Sequence, residues 1–264
     1  ILVDCMTSLS SSQKRVIDSF NKSQNLFITG PGGVGKSYVI NYIKDLAEID
    51  DKKIYITATT GSASSLINGK TIHSWAGIGT GEQPVEFLLK SIKKKFALRN
   101  RWKHTDILVI DEISMMSGSL FTKLNIIAQT LKCSSKPFGG IQLILSGDFY
   151  QLPPICKNGE PDFCFQSDAW NKCIDDMVVL EQNMRQKNPE FQKMLNEIRK
   201  GELSKETKKI LKERSKLTYD TSSDIHPTII YTTRYKVDEI NSQKMKLLKK
   251  EAKKYVVKTV LSGI

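Results

Sequence analysis

An α/β fold built on a parallel sheet is predicted for this 264-residue chain by two observations. First, short apolar runs alternate with stretches of helical periodicity through the first two-thirds of the sequence, a pattern typical of strands buried on both faces. Second, the glycine-rich segment from Gly30 to Ser37 directly follows the first of these runs and directly precedes a helical stretch. Ligands of doubly wound sheets bind beyond the carboxyl ends of the strands, which is where this segment would lie.

Five strands are expected along the first two-thirds of the chain. They are Leu26 to Thr29, Ile54 to Ala58, Ile107 to Ile110, Ile141 to Leu145 and Met177 to Leu180. The last third is more helical and more basic. In that third we expect helices over Asn188 to Lys200 and Asp238 to Lys250, and one strand over Thr228 to Thr232. A domain boundary near Leu180 is therefore predicted, with a first domain over residues 1–180 and the beginning of a second over 181–264.

The glycine-rich segment fits the pattern GxxxxGK(S/T), which predicts a nucleoside triphosphate site. Its residues are Gly30, Pro31, Gly32, Gly33, Val34, Gly35, Lys36 and Ser37. The glycines permit a tight backbone path whose N–H groups point at phosphate oxygens. Lys36 would supply a positive charge to the outer phosphates, and the Ser37 hydroxyl could ligate Mg²⁺.

A second acidic element follows the third predicted strand. Ile107 to Ile110 is apolar and ends in Asp111 and Glu112, which places both carboxylates at the sheet edge that faces the phosphate-binding segment. This arrangement matches a Walker B element. Asp111 would hold Mg²⁺ through its water shell, and Glu112 would polarise the water that attacks the γ-phosphate.

Composition narrows the class of protein further. Hydrophobic residues make up 39% of the chain and charged residues 26%, which is typical of a globular protein. The apolar runs fall far short of the roughly 20 residues that span a bilayer, so we expect a soluble protein that does not associate with membranes. A net charge of +12, mostly from lysine, favours a polyanionic partner such as nucleic acid, although a lysine-rich chain can also reflect the coding bias of an AT-rich genome.

Cysteine usage indicates a reducing, intracellular compartment. The chain has five cysteines, an odd number, and none belongs to a CxxC pair. The loose group formed by Cys156, Cys164 and Cys173 lacks the close spacing of a metal site.

Several longer motifs in a fixed order carry a resemblance to a known family. They include Ile56 to Ala63, Thr71 to Gly79, Asp111 to Met115, Pro137 to Gln142, Leu145 to Pro154 and Leu180 to Gln186. Together they closely resemble the Pif-type DNA helicases, relatives of RecD in helicase superfamily one, over roughly residues 8 to 245. The resemblance implies a P-loop NTPase whose first RecA-like domain is followed by a partial second one.

The resemblance also implies roles in ATP hydrolysis for three further residues. Gln13 is similar to an adenine-reading glutamine, although Ser10 to Gln13 fits a helix capping box as well. Gln151 resembles the glutamine that senses the γ-phosphate, and Arg185 resembles the arginine finger that neutralises charge in the transition state. ATP and Mg²⁺ are the implied cofactors, with Lys36, Glu112, Gln151 and Arg185 as the catalytic set.

Single-stranded DNA and DNA junctions or forks are the implied partners. The residues expected to contact the single-stranded backbone are Thr59, Thr60, Gly61, Thr71, His73 and Ser74, because hydroxyls and exposed N–H groups suit phosphates. His73 could equally be a packed structural histidine, and Trp75 could stack on a base or fill core. The basic and aromatic stretch from Lys93 to His104 could contact nucleic acid, but a solvated helix with one buried face is the simpler interpretation.

The second domain looks incomplete. A further phosphate-sensing arginine, an HKxQG-like segment and an inserted β-barrel, all implied by the family, are not found before Ile264, and Ile1 is not an initiator methionine. We therefore expect a piece of a longer, monomeric ATP-dependent helicase that moves 5′ to 3′ and serves replication, repair or recombination, in the nucleus or mitochondrion if the source is eukaryotic. The alternatives are an ATP-switched nucleic-acid-binding protein without unwinding activity and a P-loop small-molecule kinase.

Overall fold

The structure is a computed structural model, and it describes residues 9–155, 159–218 and 228–248 together with Lys253 and Tyr255. The chain divides into two compact units, Ile1–Lys209 and Ile210–Ile264. The first unit holds the whole sheet. The domain boundary expected near Leu180 remains a prediction.

A six-stranded parallel sheet with helices on both faces forms the first unit, which confirms the predicted fold class. The strands are β1 (Leu26–Thr29), β2 (Ile54–Ala58), β3 (Lys70–Thr71), β4 (Ile107–Asp111), β5 (Gln142–Gly147) and β6 (Asp176–Val179). Their spatial order is β3-β2-β4-β5-β1-β6. Because every pair is parallel, the carboxyl ends of all six strands meet at one edge.

The described helices follow the strands in alternation. They are α1 (Ser11–Asn21), α2 (Lys36–Ile49), α3 (Gly61–Leu66), α4 (Ile72–Ala76), α5 (Val85–Lys94), α6 (Phe96–His104), α7 (Gly118–Lys132), α8 (Asp168–Cys173), α9 (Pro189–Lys200), α10 (Lys205–Arg214) and α11 (Arg234–Lys246). Short 3₁₀ turns lie at Ile113–Met115, Pro137–Gly140 and Cys164–Gln166. No helix among residues 9–155, 159–218 and 228–248 is both long and apolar enough to cross a bilayer.

Alternation along the central strands divides the core into two layers. On β4, Ile107 and Val109 pack with α1 and α2 on one face, while Leu108 and Ile110 pack with α5, α6 and α7 on the other. All five β4 residues are buried, because a strand covered on both faces has no solvent side. This double coverage explains the continuous apolar runs in the sequence.

Two elements differ from the sequence prediction. The strand β3, only two residues long, was not predicted; it extends the sheet by pairing Thr57 with Lys70. The strand predicted at Thr228 to Thr232 was wrong, since this segment pairs with no described strand. Its apolar residues Ile229 and Ile230 are 61% and 91% exposed, so they are not packed as the residues of a core strand would be.

Candidate nucleotide site and adjoining groove

The phosphate-binding loop connects β1 to α2, as predicted. Three of its glycines have backbone angles that other residues adopt only with strain, with φ of +140° at Gly30, +87° at Gly33 and +86° at Gly35. A Cβ at Gly33 would lie 2.7 Å from the Arg185 Cβ, and a Cβ at Gly35 would lie 2.7 Å from the Gln13 Nε2. Gly33 is therefore required for space as well as for backbone conformation, whereas at Gly35 the backbone conformation is the stronger constraint, because the Gln13 amide could move aside.

Lys36, the first residue of α2, turns its ammonium back over this loop. Its Nζ donates to the carbonyl oxygens of Gly30 at 2.7 Å and Pro31 at 3.1 Å. Burial lowers the pKa of Lys36, while the neighbouring carboxylates of Asp148, Glu112 and Asp111 act in the opposite direction. A triphosphate would offer this ammonium stronger, charged acceptors than the two carbonyls.

Asp111 and Glu112 lie where β4 ends, at the same sheet edge as the loop. Asp111 is 7% exposed, and its Oδ1 accepts from the Glu112 N–H at 3.0 Å. Glu112 has a left-handed backbone with φ of +53°, a conformation often found at functional sites. Burial raises the pKa of Glu112, Asp111 and Asp148 raise it further, and Lys36 partly opposes them. A carboxylate with a raised pKa is suited to act as a general base.

The segment after β6 returns over the phosphate-binding loop. The Met184 N–H donates to the Gly33 carbonyl at 2.8 Å, and the Asn183 Nδ2 donates to the Gly32 carbonyl at 3.4 Å. The Asn183 Oδ1 accepts from the backbone N–H groups of Arg185 at 2.9 Å and Gln186 at 3.0 Å, which fixes the turn. This turn places Arg185 beside the loop.

One cavity of about 420 Å³ brings most of these elements together. Its lining consists of Gly32, Gly33, Gly35, Lys36, Ser37, Tyr38, Glu112, Gln151, Met184 and Arg185. Four residues predicted to contribute to catalysis, Lys36, Glu112, Gln151 and Arg185, thus share one space. Of the other predicted nucleotide or metal residues, Gln13, Gly30, Pro31, Val34 and Asp111 do not line it.

Gln13 fulfils one of the two roles that its sequence context left open, that of a capping residue. Its Oε1 accepts from the Ser10 N–H at 3.0 Å and its own N–H donates to the Ser10 Oγ at 3.3 Å, so the capping box is present. The side chain is 2% exposed, and its Nε2 lies against Gly35 of the loop. Contact with an adenine base remains a prediction.

A second cavity of about 530 Å³ lies beyond β2 and β4 and is called the hydroxyl groove here. It is lined by Thr59, Thr60, His73, Thr80, Gly81, Glu82, Met115, Ser117, Ser119, Leu120, Lys123, Pro154 and Ile155. Three predicted DNA-contacting residues, Thr59, Thr60 and His73, belong to it. The other three, Gly61, Thr71 and Ser74, do not line it.

Thr59 connects the hydroxyl groove to the nucleotide cavity. Its Oγ1 donates to the Glu112 carbonyl at 2.8 Å, and its N–H donates to the Asp111 carbonyl at 3.2 Å. Thr60 and Thr71 instead cap helices, since each side chain accepts from a backbone N–H in the first turn of the helix that follows it. His73 is half-buried, and burial lowers its pKa.

The aromatic residue Trp75 is buried, whereas the basic residues between α5 and α6 are exposed. Trp75 is 1% exposed and packs against Trp102 with ring centres 4.5 Å apart, so it fills core and cannot stack on a base. Lys93, Lys94 and Lys95 are exposed at the junction of α5 and α6.

Among the described cysteines, Cys164 and Cys173 are buried free thiols and Cys133 is exposed. The described residues contain no metal-binding cluster of histidine, cysteine or acidic groups.

Sequence reasoning missed several residues of these sites. Tyr38 and Met184 line the nucleotide cavity, and Thr80, Ser117, Ser119 and Lys123 line the groove. Asp148, inside a quoted motif, and Arg199, on α9, form an ion pair beside the cavity. Asp148 could have been found because it ends a buried strand as Asp111 does, whereas Arg199 had no signal that separated it from the other basic residues of its helix.

The fold and the cavity define a P-loop NTPase of RecA-like architecture. Residues 8–209 match the family model described as PIF1-like helicase, and the chain therefore belongs to the PIF1-like helicase family. It is 43% identical over 247 residues to the ATP-dependent DNA helicase PIF1 of Emericella nidulans, covering 91% of this chain and 33% of that protein.

Solved structures support the same assignment. The crystal structure of Pif1 helicase from Candida albicans matches with a TM-score of 0.84 and 40% identity, covering 92% of this chain and 55% of that one. The Bacteroides Pif1 helicase in complex with ADP-AlF3 and single-stranded DNA matches with a TM-score of 0.74 and 26% identity, covering 92% and 58%. The chain thus spans about a third of the length of its curated relative and just over half of these structures.

Proposed function

We propose that this chain hydrolyses ATP to move along single-stranded DNA, as part of an ATP-dependent DNA helicase. The observation that carries the proposal is the single cavity in which the phosphate-binding loop, Glu112, Gln151 and Arg185 meet. A small-molecule kinase would in addition need a pocket for the phosphate acceptor, and a switch that only binds ATP would have no use for a carboxylate placed to activate water. The ADP-AlF3 and single-stranded DNA complex of the Bacteroides relative supports the same assignment.

Mg²⁺ fits the donors at the edge of the sheet. The Ser37 hydroxyl on the first turn of α2 and the Asp111 carboxylate at the end of β4 are hard oxygen donors of the kind that Mg²⁺ prefers. These two residues would hold the ion, which would neutralise charge on the β- and γ-phosphates. Glu112 would accept a proton from the attacking water, and Lys36 and Arg185 would stabilise the phosphoryl oxygens.

The hydroxyl groove is the proposed track for single-stranded DNA. The hydroxyls of Thr60, Thr80, Ser117 and Ser119 can donate to phosphate oxygens without reading bases, which suits a motor that must move over any sequence. The bonds from Thr59 to the carbonyls of Asp111 and Glu112 would transmit a change in the nucleotide cavity directly to this track. Movement from 5′ to 3′, action at forks and junctions, and a monomeric state remain predictions from the family.

DNA-stimulated hydrolysis tests the proposed function. We expect ATP hydrolysis by the purified protein to rise at least about tenfold when a single-stranded oligonucleotide is added, because DNA in the groove and ATP in the cavity share the Thr59 connection. Phosphate release is measured with and without DNA, and with candidate small-molecule acceptors in place of DNA. Hydrolysis indifferent to DNA would contradict the helicase assignment, and transfer of phosphate to an acceptor would favour a kinase.

A negative charge in the groove should weaken DNA binding. Thr80 is exposed at the rim, so Thr80→Glu is expected to raise the Kd for a single-stranded oligonucleotide about tenfold, equivalent to about 1.4 kcal/mol. The loss should shrink at high salt, because exposed charges are screened. Fluorescence anisotropy over a salt series measures it, with Thr130→Glu on α7 as the same substitution outside the groove. Equal effects of the two variants would show that the groove is not the track.

A further inference from the structure

Asp148 and Arg199 form the most buried ion pair described in the first unit. Asp148 directly follows β5 and its side chain is 1% exposed; Arg199 lies near the end of α9 and its side chain is 19% exposed. The Arg199 Nε donates to Oδ2 and its Nη2 donates to Oδ1, both at 2.6 Å. This two-pronged geometry fixes the direction of the carboxylate as well as its charge.

The same carboxylate holds the glutamine assigned to γ-phosphate sensing. The Gln151 Nε2 donates to the Asp148 Oδ2 at 3.1 Å, and the Gln151 N–H donates to the Asp148 carbonyl at 2.8 Å. The Tyr150 N–H donates to Oδ1 at 3.2 Å, and the Arg199 guanidinium lies 4.5 Å from the centre of the Tyr150 ring. Arg199 therefore contacts two parts of the loop whose last residue, Gln151, lines the nucleotide cavity.

Arg199 also connects this loop to the turn that carries Arg185. The helix α9 starts three residues after that turn, where the Asn188 side chain caps it by accepting from the Phe191 N–H at 2.9 Å. At its other end the Glu197 Oε2 accepts from the Ser204 N–H at 3.0 Å, which anchors the last turn. A shift of α9 would consequently pull on Asp148 at one end and on Arg185 at the other.

Stability alone is a weak explanation for this ion pair. Desolvation of two charges offsets most of their attraction, so an apolar pair of similar volume often stabilises a protein as well or better. An apolar pair, however, could not orient the Gln151 amide through a shared carboxylate. The Asp148 carboxylate accepts from both Arg199 and Gln151, so the ion pair fixes the position of an amide at the nucleotide cavity.

We propose that Arg199 is a positioning residue for γ-phosphate recognition, because it clamps Asp148 in the orientation that holds the Gln151 amide at the cavity. The inference rests on the proposed function, since it takes Gln151 as the residue that detects the γ-phosphate. Arg199 touches neither the nucleotide nor the reacting atoms in this scheme; it acts through Asp148.

Nucleotide preference in a double-mutant cycle tests this inference. The Kd values of Mg²⁺–ADP and of a Mg²⁺-bound non-hydrolysable ATP analogue are measured by calorimetry for the wild type, Arg199→Ala, Gln151→Ala and the double variant. Each single variant is expected to lose about tenfold of the preference for the analogue, and the double variant should lose no more than either alone. Arg199→Lys, which keeps the charge without the fork, should lose less than Arg199→Ala.

Lys193→Ala, an exposed change on the same helix, is the matched control and should keep the wild-type preference. The inference is overturned if Arg199→Ala keeps the full preference, if the two single losses multiply in the double variant, or if the wild type binds both nucleotides equally. Should Arg199→Ala fail to fold, Arg199→Lys with and without Gln151→Ala completes the same cycle. The cycle measures nucleotide binding only, so it can be completed even if hydrolysis does not respond to DNA. DNA-independent hydrolysis would contradict the helicase assignment, whereas an unchanged nucleotide preference would contradict the role of Arg199.

Discussion

Replacing Glu112 with glutamine is expected to reduce the rate of ATP hydrolysis at least about a hundredfold while leaving ATP binding nearly unchanged. Glutamine has the size of glutamate but cannot accept a proton from water. Lys36, Arg185 and the loop backbone would still hold the phosphates. Single-turnover hydrolysis and nucleotide titration separate the two effects, with Glu86→Gln on the exposed face of α5 as the control. Hydrolysis that survives the change would remove Glu112 from the role of general base.

The same substitution should stabilise the nucleotide-free protein. The pKa of Glu112 is raised in the fold by burial and by Asp111 and Asp148, so ionisation of Glu112 opposes folding. The cost is absent below the ordinary pKa of a glutamate and fully present above the raised one. At pH 7.5, in a chelating buffer, Glu112→Gln is therefore expected to raise the melting temperature, because the substitution removes a charge that burial and two neighbouring carboxylates disfavour. The difference should fade as the pH falls through the pKa of Glu112.

Replacing Arg185 with alanine is expected to lower kcat for ATP hydrolysis by about 10³-fold or more, with little change in ADP affinity. The guanidinium would meet negative charge that spreads over the phosphoryl oxygens only as the bond breaks, so its loss is felt in the transition state. Arg185 is exposed in the structure, and only its backbone N–H is fixed, by Asn183, so the substitution should not unfold the protein.

Two comparisons make the Arg185 result decisive. Arg185→Lys should recover part of the rate, because lysine restores the positive charge. The recovery should be incomplete, because lysine lacks the planar pair of donors of a guanidinium. Lys187→Ala removes an exposed cation two residues away and should retain the wild-type kcat. Equal losses for Arg185→Ala and Lys187→Ala would indicate a general electrostatic effect instead of an arginine finger.

The positions of the main strands along the chain and the position of the nucleotide cavity could be predicted from the sequence, for a physical reason. A strand buried on both faces must be apolar throughout, and a loop that wraps phosphates must have glycine where φ is positive, so both leave unambiguous local patterns. The run Ile107 to Asp111 and the loop ending at Lys36 are of this kind. The five predicted strands in the first unit were confirmed. The buried pattern is complete on β4 and nearly so on β1 and β5, whereas β6 at the sheet edge leaves Met177 and Val179 exposed.

Features that depend on distant partners could not be predicted in this way. The strand β3 has two residues and exists because β2 lies beside it. Thr228 to Thr232 has the composition of a strand but no described neighbour. The ion pair between Asp148 and Arg199 joins residues far apart in the chain, and an arginine on a basic helix gives no sign of which carboxylate it will meet. From the sequence, Trp75 could either stack on a base or fill the core, and its contact with Trp102 in the structure shows that it fills the core.

The close approach of Gly33 and Arg185 limits how these two segments can change over evolutionary time. Any side chain at Gly33 would collide with the Arg185 Cβ and the Asn183 Oδ1, so the loop tolerates the returning turn only as long as Gly33 stays bare. A substitution at Gly33 would therefore require the turn that carries Asn183 and Arg185 to move away, so the shape of the loop and the position of the arginine cannot change independently.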